Sequence, residues 1–136
     1  VASGFENDTL LKIFNNESVG TKIFSEKSIL QSRKLWISSF GSASGNLILD
    51  EGACAALSSQ GKSLLPVGIT KVEGEFNKGD LVNCYNPKGQ EIARGLTNFN
   101  NVELNSIKGL NSEEVKELLN YLSEEEVIHR NNLVLD

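Results

Sequence analysis

Apolar residues recur along most of the chain in short runs of three to six, broken by Gly-, Asn- and Ser-rich turns, and a helical period takes over only near the end. Asn7-Asp8-Thr9 offers a cap for a short helix carrying Leu10, Leu11, Ile13 and Phe14, which Asn15-Asn16 ends. Val19 to Phe24 reads as a strand with Gly20 inside it, and Ser25 to Ser32 as a polar joint. Beyond it, Leu35-Trp36-Ile37 and Leu47-Ile48-Leu49 are apolar runs on either side of the loop Gly41-Ser42-Ala43-Ser44-Gly45. Asp50 can cap a helix running from Glu51 to about Ser59, with the small body Ala53, Cys54, Ala55, Ala56 and a stop at Gly61. Val67 to Val72, Leu81 to Tyr85 and Glu91 to Leu96 read as strands, joined by turns at Asn77-Lys78-Gly79-Asp80 and Asn86-Pro87-Lys88-Gly89. Ser112, with Glu113 and Glu114, opens a helix bearing Val115, Leu118, Leu119 and Leu122; Val127 to Arg130 and Leu133 to Leu135 return to strand-like pattern. Short strands, tight turns and one early helix predict a mainly β architecture with helices, of the small-barrel kind.

Composition narrows the function classes. The chain has 136 residues, the size of one ordinary domain. It is 39% hydrophobic and 23% charged, and no stretch approaches the ~20 apolar residues of a membrane-spanning helix, so no membrane role is expected. The net charge of −5 resides wholly in Glu113, Glu114, Glu117, Glu124, Glu125 and Glu126 set against Lys116, which excludes a strongly basic nucleic-acid scaffold. Two cysteines and one histidine are too few for a disulfide framework or a zinc site, and Cys54 and Cys84 read as small core residues. No signal peptide or Arg-rich presequence is present, so a cytoplasmic setting is expected. Met is absent, and an opening on Val1-Ala2-Ser3-Gly4 reads as a cut inside a longer protein.

Several residues invite chemistry that their surroundings do not support. Asp50 and Glu51 are adjacent carboxylates, but consecutive positions at a helix start point apart, which favours capping over acid-base work. His129-Arg130 beside a Glu run lacks a nucleophile and reads as a surface ion pair or a strand-end packing element. Gly20-Thr21-Lys22 lacks the Gly-rich loop of a phosphate cradle, and a packing glycine is the better reading. Trp36 beside Arg33 and Lys34 could stack a base, as could Phe99; for Trp36, seating the open end of the barrel or its junction with a preceding domain weighs more.

Motifs in order carry a family resemblance. Gly45 to Ala53 with its Asp-Glu-Gly-Ala turn, then Leu64-Leu65-Pro66-Val67-Gly68-Ile69, Phe76-Asn77-Lys78-Gly79-Asp80 and Gly89 to Leu96, resemble the PUA domain over residues 35 to 110. With the flanks Val19-Gly20-Thr21, Ser32 to Ile37 and Glu126 to Leu135, the likeness extends to the C-terminal third of the bacterial glutamate 5-kinase family. The resemblance implies a PUA-like pseudobarrel of short, mostly antiparallel strands over residues 33–136, with a C-terminal helix and strand. Residues 1–32 would be the remnant of an α/β amino-acid-kinase domain and its linker. It implies a full-length enzyme that uses ATP and Mg²⁺ to phosphorylate glutamate, with this region non-catalytic. No catalytic, cofactor-binding or metal-ligating residue carries over to these positions. The implied partners are the missing kinase domain in cis and, at full length, further copies of the protein. RNA is the alternative partner, through the family's surface at Glu51, Gly52, Ala53, Val67 and Gly68, with Lys62, Lys71 and Arg94 as phosphate contacts. So few cations imply weak RNA binding.

Overall fold

The computed structural model describes residues 1–24, 28–39, 41–118 and 125–136. Helix α1 spans Thr9–Phe14 and α2 Ile29–Ser39; β1 is Gly45–Leu49, α3 Glu51–Gln60, β2 Ile69–Gly74, β3 Leu81–Tyr85, β4 Glu91–Leu96, α4 Asn101–Ile107, α5 Ser112–Leu118 and β5 Leu133–Leu135. The strands form one sheet in the order β2-β1-β3-β4-β5. Three neighbouring pairs are antiparallel and one, β1 with β3, is parallel. The parallel pair arises because β2 folds back on the outer side of β1, leaving its inner edge to β3. A mixed, mostly antiparallel sheet of short strands with helices is as expected of a pseudobarrel, although the α-helices hold more residues than the strands.

Period-two alternation decides which face is buried. In β1, Gly45, Leu47 and Leu49 are buried while Asn46 and Ile48 are half-buried. Leu47 and Leu49 meet Val82 and Cys84 of β3, Ala93 of β4 and Ile69 of β2 in one core. Helix α3 adds Leu57, α4 adds Leu104 and Ile107, and α5 adds Val115. Each such aliphatic side chain contributes about 1.5–3 kcal/mol on burial.

The helix that opens at Asp50 forms as its signals require. The Asp50 carboxylate accepts the Ala53 N–H at 2.6 Å, and Gly61 ends α3 at φ +57°, a left-handed conformation that glycine adopts without a Cβ penalty. Asn100 and Glu103 close a reciprocal capping box on α4, a helix not anticipated from the apolar runs, although the Asn-x-x-Glu spacing encodes it.

Four expectations need correction. Val19 to Phe24 is not a strand: its described backbone pairing is Thr21 with Val1, and an extended segment without a laddered neighbour is no strand. Leu35-Trp36-Ile37 lies within α2 rather than in a short extended run. Ser28 and Gln31 cap that helix reciprocally, which places its start inside the presumed polar joint. The strand expected from Val67 begins at Ile69, because Pro66 to Gly68 form a 3₁₀ turn. Among the described residues Val127 to Arg130 makes one isolated bridge, Ile128 with Leu64, before a 3₁₀ turn at Arg130–Asn132 leads into β5. At the other helix ends, Asp8 occupies the cap position of α1 without a side-chain cap bond, and Leu119 and Leu122 lie outside the described residues.

Helix α2 packs on β4, β5 and the 3₁₀ turn before β5. Ile37 is fully buried, and Arg33 donates to Asn132 Oδ1 at 2.9 Å.

Candidate functional site

Three segments distant in sequence converge beside α3. The first is the N-terminal half of α3 itself. The second is the loop 62–68, tied back by the Asp50 N–H, which donates to the Gly68 carbonyl at 2.9 Å. The third is the segment 126–130, stitched to the loop by the Leu64 N–H donating to Ile128 O at 2.9 Å and the Val127 N–H to Leu64 O at 2.7 Å. The Arg130 N–H adds a bond to Ser63 Oγ at 3.0 Å.

Between α3 and the loop lies a cavity of about 340 Å³, walled largely by Ala53, Ala56, Leu57, Leu64, Leu65 and Val67. Gly68 allows the close approach that shapes it. A Cβ there would stand 2.4 Å from the Ala53 Cβ, so only glycine lets the 3₁₀ turn lie against the helix. A second cavity of about 390 Å³ shares Lys62, Ser63 and Leu65 with the first and is completed by Glu126, His129 and Arg130.

Of the residues singled out from sequence, Gly52, Ala53, Lys62, Val67 and Gly68 are brought together around the first cavity. Glu51 stands exposed on the first turn of α3, outside the lining. Lys71 lies on β2 with its ammonium 2.7 Å from Glu73. Arg94 lies on β4, near the opposite edge of the sheet, where its guanidinium grips Glu91 Oε1 through Nε at 3.2 Å and Nη2 at 3.1 Å. Neither cation reaches the cavity. Phe99 is fully buried in the core, so it offers no face to a base, whereas Trp36 on α2 is 51% exposed.

The second cavity escaped sequence reading. Ser63 and Arg130 are separated by 67 positions, and no local pattern signals their pairing. His129 forms the expected surface pair, with Nε2 3.8 Å from Glu126 Oε2, while its Nδ1 accepts the Asn131 N–H at 3.1 Å. Burial, the Asp50 carboxylate and Glu51 hold the half-buried Cys54 thiol above its ordinary range; burial first, then Cys54 and Glu91, pushes Cys84 up to about 12. Both thiols are therefore protonated at neutral pH and are packing groups rather than nucleophiles.

A mixed five-stranded sheet with a capped small-residue helix after its first strand, and a glycine-tight loop closing over that helix, fits a small pseudobarrel domain. The chain belongs to the PUA domain family, whose profile matches residues 45–119. It is 47% identical over 99% of its length to a glutamate 5-kinase of Nitrosospira multiformis, and 49% identical over 90% of its length to one of Dictyoglomus turgidum. The chain spans about a third of those relatives, 36% and 33%. Among solved structures, a PUA domain of Aeropyrum pernix is 28% identical at TM-score 0.44, covering 46% of this chain and 34% of that one. A PUA domain protein of Thermoplasma acidophilum is 26% identical at TM-score 0.43, covering 54% and 48%.

Proposed function

We propose that the chain is the non-catalytic C-terminal PUA region of a glutamate 5-kinase. The full-length enzyme would transfer the ATP γ-phosphate to the glutamate side-chain carboxylate, the first step of proline biosynthesis. The observation that carries this reading is identity near one half along nearly the whole chain to proteins of that name, together with coverage of only about a third of their length. Residues 1–32 would then be the end of the amino-acid-kinase domain and its linker, and residues 33–136 the PUA domain with its C-terminal extension. The partners would be the kinase domain in cis and other copies of the full-length protein.

ATP and Mg²⁺ would be held by the part of the longer protein outside this chain. Among the described residues no three His, Cys, Asp or Glu side chains converge as a metal site. Gly20-Thr21-Lys22, the nearest approach to a phosphate loop, has its Thr21 N–H committed to the Val1 carbonyl. Phosphoryl transfer needs positioned cations to neutralise developing charge, and these residues do not supply them.

RNA contact through the PUA region would be weak and dominated by salt-sensitive phosphate contacts. Lys71 and Arg94 are already engaged by carboxylates, and Phe99 is inaccessible. The test is twofold. The coding sequence extended upstream should yield a protein that phosphorylates glutamate in the presence of ATP and Mg²⁺, and the 136-residue chain should give no saturable ATP·Mg²⁺ heat by titration calorimetry. An extended protein without an amino-acid-kinase domain, or saturable binding by this chain, would overturn the assignment.

A further inference from the structure

The two cavities beside α3 meet at Lys62, Ser63 and Leu65 and differ sharply in chemistry. The first has small aliphatic walls, Ala53, Ala56 and Val67 among them, with the Asp50 carboxylate committed to the Ala53 N–H; the second adds Arg130 to the Lys62 they share. We propose that together they form one amphipathic groove that binds a small organic anion, a carboxylate bearing a short aliphatic chain. The carboxylate would sit between the Lys62 ammonium and the Arg130 guanidinium, with the chain in the alanine-walled slot. This goes beyond the accessory-region reading and is tested separately from it.

Charge supports the head-group assignment. Lys71, Arg94 and Lys116 are each paired with a glutamate, whereas among the described residues the side chains of Lys62 and Arg130 are exposed and carry no ion pair or hydrogen bond. Glu126, the acid on the rim, faces His129. Two unpaired cations at one end of a groove, in a chain of net charge −5, are a local reversal of the field, and the arginine fork matches a carboxylate in particular. The cations also lie beside an apolar slot, so a ligand that satisfies both needs a charge at one end and hydrocarbon at the other. A volume of about 340 Å³ falls at the lower end of the ~300–1,000 Å³ typical of small-molecule sites.

Size selects a small anion over a polymer. A nucleic-acid strand is held by a row of cations along its phosphates. Here the same cavity holds Lys62 and Arg130 together with the Glu126 carboxylate, too little positive charge for a polyanion and enough for a single carboxylate.

The experiment is an NMR titration of the ¹⁵N-labelled 136-residue chain at fixed ionic strength with acetate, butyrate, hexanoate and hexanamide. The amides of Ala53, Lys62, Ser63, Leu65, Val67 and Arg130 should shift together. The affinity should rise about fourfold for each methylene that enters the slot, and hexanamide should bind at least tenfold more weakly than hexanoate. The K62Q/R130Q double variant should lose at least tenfold in hexanoate affinity at an unchanged melting temperature, since both side chains are exposed; R130K alone keeps the charge but not the fork and should lose less than the double variant. Equal response to every chain length, hexanamide binding as well as hexanoate, or no loss in the double variant would overturn the proposal. Displacement of hexanoate by an RNA hairpin, with affinity falling steeply with salt, would also overturn it and make the groove a nucleic-acid track.

Discussion

The contact that closes α3 against the loop can be tested by exchanging the two residues that make it. In Gly68→Ala the new Cβ would meet the Ala53 Cβ at 2.4 Å, against the ~3.5–4.0 Å at which carbon atoms rest. The backbone is not left-handed at Gly68, so the cost is steric and not conformational. Roughly 1 Å of retreat is required, and the turn is held from three sides: Gly68 O accepts from Asp50, Gly68 N–H donates to Leu65 O, and Pro66 O accepts from Gly109. Overpacking of a site that cannot relax costs about 1–3 kcal/mol, and the tethering puts this case near 2–3. Ala53→Gly alone should cost about 0.5–1 kcal/mol through helix propensity. In the double variant the clash is gone, so the total should return to about 1 kcal/mol rather than the 3–4 expected of independent effects. Urea unfolding at constant m measures all four states; with m of about 1–3 kcal/mol/M, the recovered ~2 kcal/mol moves the midpoint by roughly 1–2 M. Additivity within about 0.5 kcal/mol would refute the contact as the reason for glycine at this position.

Asp50→Ala should destabilise the chain by about 1 kcal/mol through loss of the cap on α3, with Asp50→Asn closer to neutral, read by the same urea curves. Asn100→Ala should cost a similar amount by opening one arm of the α4 capping box, and should leave the α3 amide shifts unmoved. Cys84, pushed from 9.0 up to about 12, should resist iodoacetamide at pH 8 while the chain is folded. Because that value is raised above the unfolded one, its contribution to stability is fully present below pH 9 and is lost as pH rises from 9 towards 12; a Cys84→Ala variant should show a flatter alkaline stability profile. A chain beginning at Ser28 should melt as cooperatively as the full one and lose most of its binding of a hydrophobic dye, since the exposed apolar residues from Val1 to Phe24 are removed; an unchanged dye signal would contradict this.

Local signals with a single physical cause were legible in the sequence. Asp50 and Gly61 bracket α3 because a cap and a left-handed stop act within one turn of chain, and the hairpin at Asn86 to Gly89 lies where its turn residues put it. What depends on a partner was not legible. Val19 to Phe24 has a strand's composition, but pairing decides strands, and none of the five sheet strands lies beside it. Leu35-Trp36-Ile37 looks extended over three residues, and only the Ser28/Gln31 box seven positions earlier reveals a helix. Gly52, Ala53, Lys62, Val67 and Gly68 around the first cavity were reached through the family resemblance rather than through any local pattern. The cavity's cationic extension was not reached, because Arg130 arrives through the Leu64–Ile128 bridge, a contact that only the folded topology creates.

The distribution of exposed apolar residues bears on the proposal that the chain is part of a longer protein. Twelve of the seventeen large hydrophobic side chains that are exposed among the described residues precede Ile37, from Val1 and Phe5 to Leu35 and Trp36. Phe5, Phe14 and Ile29 are almost wholly solvated, at 103%, 84% and 87%. Scattered exposed leucines need no explanation, but a concentration of this kind in one quarter of a chain does. Covering half of those twelve would be worth on the order of 10 kcal/mol, comparable to the whole stability of a domain. The residues from Gly45 onward bury their own core without that help, whereas among the described residues before Ile37 only Thr9 is buried. Helix α2 joins the two regimes, with Ile37 set into the sheet side and Ile29, Leu35 and Trp36 left in solvent. An interface with further polypeptide would cover a face of this kind, and relatives nearly three times as long have such polypeptide, so the burial profile favours the boundary proposed near residue 33.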